Sequence, residues 1–232
     1  EQGIEKSVID SLISESISYV HEIDQIFSTY KESSEVSRIR RSELHISEAT
    51  SIVQEIWRRC ENARELTDGA FDPFQERLGG FDPSGYVKGW AAQESLKFFA
   101  SRGFNRIQIN AGGDIVLRGG YEEKRPWVVG IRHPDNAEQI AKSYEIFDGA
   151  IASSGTYERG AHIIDPRVGV PAVGARAATV IGPDAGIADA LATAIVVDGR
   201  DAVNWLGNEA FRNYSFWAVD KSGYHAWSYS HP

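Results

Sequence analysis

At 232 residues and 42% hydrophobic, the chain is long enough to bury a substantial core as one folded unit. A formal net charge of −9 argues against a nucleic-acid surface, and the one dense basic cluster, Arg38, Arg40 and Arg41, reads as a solvated helix end. Cys60 is the sole cysteine, which excludes an intrachain disulfide and argues against a cysteine-based zinc site; no apolar run is long enough to span a bilayer.

In chain order, apolar residues recur at three- and four-residue steps from Ile4 to Tyr30, which predicts a long amphipathic helix. Ser47 is placed to cap a second helix carrying Ile52, Val53, Ile56, Trp57 and Cys60, with Cys60 as a core thiol. A third helix is predicted from about Val87 to Ala100, ending near Gly103. Short strands are expected at 106–110, 115–117, 128–131, 144–147, 178–181 and 215–219, separated by turns containing Gly, Asn or Asp. Most connections are too short for helical crossovers, so the sheet should be largely antiparallel. The expectation is an α+β fold in a single domain, 1–232: a helical amino-terminal third to about residue 65, then a central sheet flanked by helices.

Several familiar sites are absent, among them the phosphate loop, the nucleophile elbow and the His-Glu-x-x-His zinc motif. Asp189 and Thr193 stand four residues apart in an Ala-rich helical run and therefore share a face. A carboxylate and a hydroxyl are hard oxygen donors suited to Mg²⁺, although the same spacing also suits an Asp near a helix start and a Thr packed among alanines. His162 precedes the rigid turn Asp165-Pro166-Arg167, where an imidazole can accept a hydroxyl proton or serve the structure alone. The turn from Asp82 into the helix bearing Lys88 offers amide groups and a positive charge to an anion. The two glycines in Asn110-Ala111-Gly112-Gly113-Asp114 let a ligand approach the backbone, and Ser153 and Ser154 can donate hydroxyl hydrogen bonds to phosphate.

Taken in order, these segments resemble the FAD:protein FMN transferases, the ApbE-type flavin transferases. The matching stretches are Phe27 to Tyr30, Thr67 to Pro73, Asp82 to Ala91, Asn110 to Ile115, Ser153 to Gly155, His162 to Gly169 and Thr179 to Ala194. The resemblance implies an α+β fold that binds FAD with Mg²⁺ at its pyrophosphate. It also implies transfer of the FMN moiety to a Ser or Thr hydroxyl of an acceptor flavoprotein, with AMP leaving. Residue by residue, it places Gly85 (through its backbone carbonyl), Asp189 and Thr193 at the metal and Tyr30 near the flavin ring. Asp82, Lys88, Gly113, Asp114, Ser153 and Ser154 fall at the cofactor, and His162 falls at the catalytic base. Gln93 and Val168 depart from the family pattern, which usually has Asp and Thr there. Two other activities fit the same residues: an FAD pyrophosphatase giving FMN and AMP, and a non-catalytic FAD-binding carrier. Residues 1–6 lack the features of a signal peptide, so a cytoplasmic location is expected, or an extracytoplasmic one if a signal or anchor precedes Glu1.

Overall fold

The computed structural model describes residues 5–134, 136–156, 163–222 and 225–230. Helix α1 spans Lys6–Phe27, and the chain then leaves helical geometry at Ser28. The Ser28 carbonyl accepts hydrogen bonds from the hydroxyls of Ser34 and Ser37, which fixes the turn. Tyr30 thus lies beyond the helix that periodicity extended to it. Helix α2, Glu35–Arg40, was not anticipated; six residues are too few for a periodic signal, and the Ser34 side chain caps it. The second long helix, α3, is Ser51–Leu66, with Thr50 at its start. Ser47 instead sits in a short 3-10 turn, Ile46–Glu48, where its amide is held by the His45 ring. Cys60 is fully buried, as expected of a core thiol.

Helix α4, Ser84–Ala100, leads into β1 (Ile107–Ala111) and β2 (Asp114–Arg118), and a hairpin of β3 (Trp127–His133) and β4 (Asn136–Ile146) follows. Next come β5 (Gly149–Gly155), a two-residue-strand hairpin of β6 (Ile164–Asp165) and β7 (Val170–Pro171), and β8 (Ala175–Gly182). Helices α5 (Ala185–Asp198) and α6 (Val203–Leu206) precede β9 (Ser215–Asp220) and β10 (Ala226–Ser230). Among the described residues, the main sheet runs β1-β2-β5-β8-β9-β10, and every pairing in it is antiparallel.

The sheet is covered on both sides, which explains strands that read as nearly continuous apolar runs. On one side Val116 and Ala150 meet Ala92 and Ala185 of the helices. On the other, Leu117, Ile151, Trp217 and Val219 pack against Val129 and Ile131 of the β3–β4 hairpin. Helices α4 and α5 touch almost backbone to backbone. A Cβ on Gly89 would lie 2.3 Å from the Ala185 carbonyl oxygen, and one on Gly186 would lie 2.5 Å from the Tyr86 ring. Gln93 ties the same junction, donating to the Pro183 carbonyl and accepting from the Ala185 amide. These contacts set the distance between the two helices that carry the site.

Candidate functional site

One cleft of about 1310 Å³ lies where α1, α4, α5, β1 and the ends of β5 and β6 meet. On α5, Asp184 caps the helix by accepting from the Ile187 amide, and one turn later Asp189 faces the cleft. Asp189 is only 3% exposed, and its Oδ2 has no hydrogen-bond partner among the described residues. Thr193, one further turn along, lines the cleft, its Oγ1 3.1 Å from the Ser154 hydroxyl.

Helix α4 brings its first turn to the same place. Gly85 departs from helical geometry (φ −81°, ψ 16°), and a Cβ on it would lie 3.6 Å from Thr193 Oγ1. The Gly89 amide, one turn along α4 from Gly85, acts on the Asp189 carboxyl and favours its charged form. Gly85, Asp189 and Thr193 therefore come together on one part of the cleft wall. No group of three or more His, Cys, Asp or Glu side chains is suited to a metal among the described residues. The mixed oxygen set nevertheless fits Mg²⁺, which takes few protein carboxylates, and the unpartnered Asp189 oxygen is an acceptor without a donor.

Lys88 lines the cleft, and its Nζ lies 3.0 Å from the Oδ2 of Asp114. Burial, and next the neighbouring Asp114 charge, push the Asp189 carboxyl well above the usual carboxylate range. Burial raises Asp114 too, against the lowering effect of Lys88. Two buried carboxylates and one ammonium thus form a single electrostatic cluster.

The other expected residues divide. Tyr30 lines the cleft and is 96% exposed, which puts it on the rim. Asp82 lines it too, with its carboxylate accepting from the Ser84 amide and facing Arg40 at 3.7 Å. Ser153 and Ser154 line it from a strand rather than a loop: Ser153 pairs in register with Thr179, and their hydroxyls are 2.9 Å apart. Gly113 and Asp114 are not on the cleft wall; Asn110 and Gly112 are, and the Gly113 amide donates to the Asn110 side chain. His162 lies outside the described residues. Its motif companion Arg167 grips Asp165 through two nitrogens at 3.0 Å and reaches Asp198 at the end of α5.

Sequence reading missed one wall. Ile13, Ile17 and Val20 of α1 are 44%, 52% and 43% exposed and line the cleft. The three- and four-residue spacing marks them as one stripe but does not say that the stripe faces a cavity instead of a packed neighbour.

The model of the ApbE family matches residues 3–81 and 75–214. The FAD:protein FMN transferase of Klebsiella pneumoniae is 31% identical over 99 residues, covering 39% of this chain and 28% of that protein. The protein of the same name from Vibrio cholerae is 32% identical over 99 residues, covering 39% of this chain and 30% of its own length. The matched stretch thus spans less than a third of these relatives. Among solved structures, the ApbE protein of Thermotoga maritima superposes with a TM-score of 0.84 at 25% identity, covering 100% of this chain and 91% of that one. The flavin transferase ApbE of Vibrio cholerae gives 0.82 at 22% identity, covering the same shares, and shows the likeness of fold.

Proposed function

The chain belongs to the ApbE family, and from that premise we propose that it transfers the FMN moiety of FAD, with Mg²⁺, to a Ser or Thr hydroxyl of an acceptor flavoprotein, releasing AMP. The observation that carries this reading is the convergence of Gly85, Asp189 and Thr193 in the wall of a cleft roomy enough for a dinucleotide. The relatives' printed activity, FAD:protein FMN transfer, is the second support.

When bound, Mg²⁺ would neutralise pyrophosphate charge; Asp189, Thr193 and the Gly85 carbonyl are the groups that would hold it. Lys88 keeps a positive charge at the cleft wall, anchored from behind by Asp114, and stabilises anionic oxygen there. Ser154 orients the Thr193 hydroxyl, and the apolar stripe of α1 excludes water from one side. In the chemical step the acceptor oxygen bonds to the flavin-side phosphorus, and the bond from that phosphorus to the bridging oxygen breaks. AMP carries the bridging oxygen away. The acceptor's proton goes to His162, a role assigned from the motif it shares with Asp165 and Arg167.

The test is to incubate the protein with FAD, Mg²⁺ and a candidate acceptor domain. Fluorescent flavin should stay on the acceptor in a denaturing gel, and AMP should appear in solution. Free FMN and AMP without labelled acceptor would replace the proposal by FAD pyrophosphatase activity, and neither product would leave a carrier. His162→Ala should keep FAD binding and lower transfer about 10²- to 10⁴-fold; transfer at the wild-type rate would remove His162 as the base.

A further inference from the structure

Asp114 opens β2 with a side chain only 1% exposed, and it does not reach the cleft wall. Its Oδ2 takes the Lys88 ammonium at 3.0 Å, and its Oδ1 accepts from the Ser153 amide at 3.4 Å. Asp189 adjoins closely enough for each carboxyl to feel the other, and Lys88 acts on both. Burial raises both carboxyls, and the half-exposed Lys88 ammonium is the positive charge set against them. Among the described residues the buried Asp189 Oδ2 has no hydrogen-bond partner, and its side chain faces the cleft. Were Asp114 neutral, Lys88 would have Asp189 as its remaining buried counter-ion in this cluster, and the ammonium would compete with any cation for that oxygen.

We propose that Asp114 is a positioning residue: it holds Lys88 away from Asp189 and so keeps the cation position open. The inference rests on Asp189 being the metal ligand of the proposed function. It differs from cofactor contact, since Asp114 stands behind the wall and acts through Lys88.

The experiment is Mn²⁺ binding to the whole chain without flavin at pH 8, followed by electron paramagnetic resonance. Asp114→Asn should weaken binding about tenfold or more. Lys88→Gln should tighten it, because a competing positive charge is gone. The double variant should return toward wild type. A purely architectural role for the pair predicts weakening in both single variants, and that result would overturn the proposal, as would unchanged affinity in Asp114→Asn. If Asp114→Asn fails to fold by circular dichroism, the sign of the Lys88→Gln effect decides alone. Wild-type protein that binds no Mn²⁺ would overturn the metal reading itself, a result distinct from metal binding that is indifferent to Asp114 and Lys88.

Discussion

The Thr193 hydroxyl has a partner in Ser154, and when it donates across that 3.1 Å contact its lone pairs are left for the cleft. Thr193→Val keeps the shape and removes the oxygen. It should weaken Mn²⁺ binding about tenfold or more, and cost about 1 kcal/mol of stability for the lost hydrogen bond, read from a metal titration and a urea curve. Wild-type metal affinity would remove Thr193 from the ligand set. Asp165 invites a pH test. The Arg167 side chain, and then its backbone amide, hold the Asp165 carboxyl below the usual carboxylate range. A depressed value means that its stabilising effect is complete above the ordinary carboxylate pKa and is lost as pH falls through the folded value. Asp165→Asn should therefore be less stable than wild type at pH 7, and the gap between their urea midpoints should close toward pH 3; a gap that widens in acid would contradict the assignment. The four-residue spacing of Asp189 and Thr193 was legible in the sequence because helical geometry fixes it. The Asp114–Lys88 pair was not, because one residue stands on a strand and the other on a helix, and only tertiary packing joins them.

At the scale of elements, the site depends on how closely α4 and α5 approach. Gly89→Ala would set a methyl 2.3 Å from the Ala185 carbonyl oxygen, and backbone cannot yield as a flexible side chain can. The cost should be about 1–3 kcal/mol of stability from overpacking, despite the better helix propensity of Ala. Metal affinity should fall as Gly85 is levered away from Asp189. Gly207→Ala is the control: the nearest atom is 3.9 Å away, and neither stability nor metal binding should change beyond about 0.5 kcal/mol. Equal effects in the two variants would separate the helix contact from the site. The same close packing explains why β5 escaped notice. Ala150 and Ala152 are buried, and the strand is built of small residues where β-branched or aromatic ones give the usual strand signal. Its serines therefore read as hydroxyl donors to phosphate outside any strand, whereas β3 and β9, rich in Val, Ile, Trp and Phe, carry the usual strand signal.

Over the whole molecule, the order of short motifs carried the family resemblance, because each glycine turn or carboxylate keeps its place along the chain whatever lies between. The cleft was not legible in the same way, since its walls come from α1, α4, α5 and β1, which no local pattern relates. The wall that sequence least disclosed gives the clearest test of ligand binding. Ile17 is 52% exposed and faces the cleft, so the folded protein without ligand leaves much of this side chain in water. Ile17→Ser should then change stability by less than about 1 kcal/mol in the absence of ligand. If FAD covers this wall, the lost apolar contact is about half a buried aliphatic side chain, or about 1 kcal/mol. That predicts FAD binding weaker by about three- to tenfold, together with a smaller rise in melting temperature at fixed FAD, since stabilisation by a ligand follows its ratio to the dissociation constant. Wild-type FAD affinity in Ile17→Ser would mean that the dinucleotide lies wholly between α4, α5 and β5. The stripe on α1 would then be left to face some other part of the reaction, and the acceptor, which must also reach the phosphorus through this cleft, would be the first group to place against it.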